Sequence, residues 1–226
     1  MSNLFKNKST AITLIGIIVM AALIIVKLFR PESLFSGYAV IVGVVLFFIV
    51  EAVDKTPDNE SQVRFSTIIN DLKKPQVLLW VLLPIIITIV QIVCGKVFAE
   101  DSYRSYIDHV IGRTSLEMDL SNLLKWGLTD VILVLGEEIA FRGLLCGKGT
   151  KVFSKPICIL ISAVLFSAGH VATGNTTIVL FDLLGIFIDA IMYAWLFYKS
   201  ENCVITFIPH FLNNILGLLL VKILFA

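Results

Sequence analysis

Apolar blocks about as long as a bilayer is thick follow one another through most of the chain, and they limit what it can fold into. A helix rises about 1.5 Å per residue, so roughly 20 apolar residues cross the hydrocarbon core. Blocks at residues 11–29, 34–53, 77–98, 120–145, 157–171, 176–198 and 203–225 are separated by short polar links. They predict an all-α fold, a polytopic transmembrane bundle of about seven spanning helices. The composition agrees: 58% of the residues are hydrophobic and 15% charged, against about 45–50% apolar and about 25% charged in soluble domains.

With 226 residues, a single structural domain is expected. Residues 1–119 hold the first three membrane helices and polar loops, and residues 120–226 hold the other four. A polar loop over 54–76 contains a short surface helix near 66–72. Residues 100–119 are read as a polar stretch outside the membrane, with His109 in it solvated. The net charge of +1 gives no reason to expect nucleic acid or a strongly basic partner. Cys94, Cys146, Cys158 and Cys203 lack a C-x-x-C spacing and read as small buried hydrophobes. Lys6 and Lys8 precede the first block, and Lys27 and Arg30 follow it in place of a cleavage site, the pattern of a retained signal anchor. Lys and Arg number about ten on the side of the N-terminus and roughly six or seven on the other, which predicts a cytoplasmic N-terminus. No internal repeat is evident, which weighs against a transporter.

The chemistry concentrates where charge enters the apolar blocks. Ionisable side chains in hydrocarbon cost about 2.5–3.5 kcal/mol each on insertion scales, so they face the bundle interior and mark function. The fourth helix carries Asp130, Glu137, Glu138 and Arg142. Glu138 and Arg142, four apart, pair on one face and leave Glu137 free; Asp130 shares a face with Glu137. Two of the three histidines, His170 and His210, fall within predicted spans. Asn214 lies one turn after His210 and shares its face, whereas Asn213 points about 100° away. A carboxylate, two imidazoles and an amide are the groups peptide hydrolysis needs: a base for water, donors for an oxyanion and an acid for the leaving amine. Asp182 and Asp189, seven apart on one face of the sixth helix, are expected to line a water-filled interior of the bundle.

Three short patterns occur in order. Gly136-Glu137-Glu138-Ile139-Ala140-Phe141-Arg142-Gly143 resembles E-E-x-x-x-R, Phe166 with His170 resembles F-x-x-x-H, and His210 with Asn214 resembles H-x-x-x-[ND]. Together they resemble the CAAX prenyl protease and bacteriocin-processing (CPBP) family of intramembrane peptidases, over roughly residues 120–226. The resemblance implies an intramembrane endopeptidase acting on a membrane-associated peptide or protein within the lipid bilayer: a CAAX-type tail, a leader or pheromone peptide, or a bacteriocin precursor. It implies Glu137 as the catalytic carboxylate, Glu138 and Arg142 as its supporting pair, His170 as the partner that activates water, and His210 with Asn214 as the oxyanion or ligand site. Glu137, His170 and His210 would be the ligands if the enzyme held zinc. No H-E-x-x-H helix is present, and the catalytic type stays open between metallo- and glutamate-type. The rival reading is a non-catalytic bacteriocin-immunity or membrane scaffold protein of the same fold. The compact size suggests a prokaryotic cell membrane. The motifs give no role to Asp130, Asp182 or Asp189.

Overall fold

The computed structural model describes residues 7–54, 61–114 and 123–225. The described residues form helices and their links, without a strand. The chain begins with α1 (Lys8–Phe29) and α2 (Phe35–Val53), an antiparallel pair joined by a short turn. Asn7 caps α1, its side chain accepting from Ser9 N at 3.1 Å. A short α3 (Ile68–Leu72) leads into α4 (Pro75–Phe98), where Pro75 sits in the first turn and costs no hydrogen bond. The sequence read residues 100–119 as a polar stretch, but Glu100–Thr114 is a helix, α5. Residues 55–60 of the expected 54–76 loop lie outside the described residues, as do 115–119 of the polar stretch and the expected start of the fourth span near Leu120.

That fourth span is α6 (Leu123–Glu137), continued without a break by a π-helical segment, Glu138–Gly147, and a 3-10 turn, Lys148–Lys151. α7 (Lys155–Gly169), α8 (Thr176–Ser200) and α9 (Cys203–Phe225) complete the bundle. Asn175 caps α8 through Thr177 N and Ile178 N. Among the described residues five helices, α1, α2, α4, α8 and α9, are long and apolar enough to cross a membrane. α7 is apolar but has only 15 residues, and the α6–π segment is the one that carries the four charges. Ile18, Ile41, Leu79 and Ile132 are all more than half exposed, forming an apolar outer face suited to lipid.

The π segment is the core of the bundle. Every residue from Glu138 to Cys146 is buried, packed on by α1, α2, α7, α8 and α9. Small residues allow the approach: a methyl group on Gly43 of α2 would stand 2.6 Å from Ala140 Cβ, and one on Gly143 would meet Phe47 at 2.8 Å. At one end of the bundle, Lys148 pairs with Glu51 at 3.2 Å, Lys151 with Asp54, and Arg64 with the Ser200 carbonyl at 3.2 Å. There Asn202, fully buried, accepts from Arg64 N and Val204 N and donates to Arg64 O, tying the α8–α9 turn to the segment before α3. The N-terminus of α1 lies at this end, since Lys151 also donates to Ser9.

Candidate active site

The change from α to π geometry falls between Glu137 and Glu138. π turns are uncommon and often accompany functional sites. Two carbonyls of the widened turns are met by neighbouring side chains: Ser162 Oγ donates to Phe141 O at 3.0 Å, and Tyr198 Oη to Cys146 O at 2.9 Å. Glu138 and Arg142, both 0% exposed, form the expected pair at 3.1 Å. The guanidinium lies over the rings of Phe166 and Tyr193, 4.5 and 5.3 Å from their centroids, so aromatic faces take the place of water around the cation.

Glu138 also receives a hydrogen bond. His210 Nδ1 donates to its Oε1 at 2.7 Å, and the imidazole is held between Tyr193, stacked at 5.0 Å, and the edge-on ring of Phe166 at 5.6 Å. The other nitrogen, Nε2, stands 3.7 Å from Glu137 Oε2. Arg142, Glu138, His210 and Glu137 thus form one chain of charged groups from the fully buried interior to a carboxylate that is 23% exposed. Formal charge along the chain balances when His210 carries both protons, the arrangement a low-dielectric interior favours.

His170 is not inside a spanning helix as the sequence suggested; it is the residue that caps α7. Its Nδ1 donates to the Phe166 carbonyl at 2.8 Å, and its ring leans on Phe166 at 4.7 Å. A carbonyl can only accept, so Nδ1 carries the proton and Nε2 of the neutral ring is an acceptor. Asn214 donates to both oxygens of Asp130, at 3.2 and 3.3 Å. Asn213, set aside by helical periodicity, is buried and donates to Tyr193 Oη at 2.9 Å.

The exposed end of this arrangement opens on a cavity of about 430 Å³, lined by α4 to α9. Glu137, His170, His210 and Asn214 line it together, as do Asp130, Asp182 and Asp189. Residues 119–216 match the family model described as "Type II CAAX prenyl endopeptidase Rce1-like". This region is similar to that family. No curated protein and no solved structure matches the chain. The Rce1-like region contains every residue of the charged chain together with His170 and Asn214, and α5 lies before it.

The zinc reading of the Rce1-like site does not fit these residues. Zinc is held by ligands that converge at about 2.0–2.3 Å. Among the described residues no three His, Cys, Asp or Glu side chains are grouped to hold a metal ion, and Glu137, His170 and His210 are no exception.

α5 adds what the sequence reading missed. His109, expected to be solvated, has a side chain only 8% exposed, with Nε2 3.6 Å from Asp182 Oδ2. Arg113, one turn later, reaches the same carboxylate through Nε at 2.9 Å. Tyr103 packs over Gly95 of α4, where a methyl group would run into its ring. The available signal was the spacing: Tyr103 with Ile107, and His109 with Arg113, are each four apart and mark faces of a helix. Tyr193, which stacks on His210 and holds Asn213, carried no such signal.

Proposed function

We propose that this chain, with its Rce1-like region, is an intramembrane endopeptidase of the metal-free, glutamate type, hydrolysing a peptide bond of a membrane-associated peptide or protein. The observation that carries the reading is the approach of Glu137 to His210 Nε2 at the wall of the cavity, with Glu138 and Arg142 fixed behind it. A water between Glu137 and the acceptor Nε2 of His170 gives a proton to Glu137, and its oxygen bonds to the carbonyl carbon. His210 Nε2–H and the Asn214 amide face the oxygen that becomes negative. Glu137 passes the proton to the amide nitrogen as the C–N bond breaks, releasing an amine and a carboxylic acid. Glu138 and Arg142 act through His210 as positioning residues. The basic end of the bundle, with the N-terminus, is assigned to the cytoplasm.

The test is cleavage of fluorogenic peptides, including leader-type and lipidated tails, by purified protein in detergent. Cleavage by wild type that disappears in Glu137→Ala and persists in a chelator supports the reading. Loss of cleavage in chelator, restored by zinc, would replace it with a metal mechanism. Absence of cleavage of every peptide, with Glu137→Ala retaining cellular function, would favour the immunity or scaffold alternative.

A further inference from the structure

The hydrogen bond from His210 Nδ1 to Glu138 fixes one atom of the imidazole. It leaves the plane of the ring undecided, because the torsion that turns a histidine ring joins a tetrahedral to a planar carbon and has only a broad preference of its own. Where Nε2 points is therefore set by what lies against the ring. Phe166 meets the imidazole edge-on, at 74° with centroids 5.6 Å apart. Tyr193 lies nearly parallel to it, at 21° with centroids 5.0 Å apart. A parallel face defines the plane, and an edge only limits how far the ring slides.

Tyr193 is itself firmly held. Ala190 and Ala194, both fully buried, flank it on α8 and let that helix lie close to the π segment, where Arg142 Nη2 donates to Ala190 O at 3.5 Å. The Arg142 guanidinium stands 5.3 Å from the centre of the tyrosine ring. At the far end of the side chain Asn213 donates to Oη at 2.9 Å. Asn213 lies three residues after His210 on α9, so the hydroxyl ties the tyrosine to the helix that carries the imidazole it stacks on. With 2% of its surface exposed, the tyrosine is locked by packing in the pose that keeps the two rings parallel.

We infer that Tyr193 is a positioning residue of the site: its ring sets the plane of His210 and so aims Nε2 at Glu137 and at the oxygen that becomes negative. The inference rests on the peptidase reading above and adds to it a residue that none of the three sequence patterns contains. Tyr193 acts through His210 and needs no contact with substrate. Asn213 then serves the site at one remove, by holding the hydroxyl.

The test uses the full chain in detergent, the fluorogenic peptides above and two variants. Tyr193→Phe keeps the stacked ring and drops the hydroxyl, whereas Tyr193→Leu removes the ring. Misplacing a catalytic group by about 1 Å costs about 10²-fold in rate, so Tyr193→Leu is expected to lower kcat on that scale with KM unchanged. Tyr193→Phe is expected to stay within a few-fold of wild type. Wild-type kcat in Tyr193→Leu, equal losses in both variants, or a rise in KM without a fall in kcat overturns the inference. A second readout needs no substrate. In nuclear magnetic resonance spectra of protein with isotope-labelled histidine, the downfield Nδ1 proton of His210 is assigned by its loss in His210→Asn. It is expected to persist in Tyr193→Phe and to shift or broaden in Tyr193→Leu; an unmoved signal in Tyr193→Leu overturns the inference. The carbon-bound ring protons of His210 in wild type are expected upfield, under the face of Tyr193, and finding them at ordinary positions overturns the stacking even where a variant fails to fold. Absence of cleavage by wild type removes the peptidase reading, and the resonances then decide by themselves whether Tyr193 sets the imidazole.

Discussion

Replacing Arg142 by methionine isolates the carboxylate of Glu138 inside the bundle. The side chain is similar in length and apolar, so it fills much of the space while removing the charge. Removing one partner of a buried pair costs about 3–5 kcal/mol, because the remaining charge stays desolvated. Here Glu138 keeps His210 Nδ1 at 2.7 Å, which places the loss near the lower bound, about 3 kcal/mol. Chains of this size lose about 2–4 °C of melting temperature per kcal/mol, so the variant is expected to melt roughly 6–12 °C below wild type. The double variant Glu138→Gln/Arg142→Met removes both charges and is expected to regain more than half of that loss while remaining inactive, since His210 has lost its anionic anchor. Thermal unfolding of the purified protein in detergent reads the first effect and peptide cleavage the second. An Arg142→Met protein that melts with wild type, or a double variant no more stable than the single, would refute the account of the pair as a charge-balanced core.

Glu137→Gln is expected to lower kcat by about 10²–10⁴ with little change in KM, as for loss of a general base, and to leave the melting temperature at or above that of wild type. Gly43→Ala forces a methyl group to within 2.6 Å of Ala140 Cβ and is expected to cost about 1–3 kcal/mol in detergent unfolding. Asp182→Asn releases Arg113 and His109 together, so amide exchange over residues 100–114 should accelerate while α7 stays protected. Ser162→Ala leaves Phe141 O in the π segment without its donor and is expected to cost about 1 kcal/mol.

The long helices were legible because lipid imposes one length and one polarity on whatever crosses it. The block at 203–225 coincides with α9, and the blocks for α1, α2 and α4 begin within three residues of the observed starts. Helix α5 was hidden by the same rule: its charges read as solvent, yet Arg113 and His109 both face Asp182, some seventy residues away. The π segment was illegible for another reason. Its geometry is set by packing of α2 on Gly43 and Gly143 and by Ser162 and Tyr198 on its carbonyls, none of which leaves a local pattern. Periodicity placed Asn214 on the face of His210, and both line the cavity. It set Asn213 aside because it treats a site as one face of a helix, whereas this cavity wraps α9 from α6 round to α8.

The two adjacent glutamates show how the change of helical form separates two tasks. Glu138 is 0% exposed, ion-paired with Arg142 and hydrogen-bonded by His210, so its position is set from its own segment and from α9. Glu137, the last residue in α geometry, is partly exposed to the cavity and meets only His210, at a distance too long for a hydrogen bond. One carboxylate is therefore bound to its surroundings, and the other is the one the proposed mechanism uses to exchange a proton. The π segment keeps the bound one in the centre of the bundle, where His210 of α9 reaches it and Phe166 of α7 and Tyr193 of α8 cover its partner Arg142. A base set against such a core can change its protonation while the core stays fixed in place, which suits the acid–base chemistry proposed for it inside a membrane.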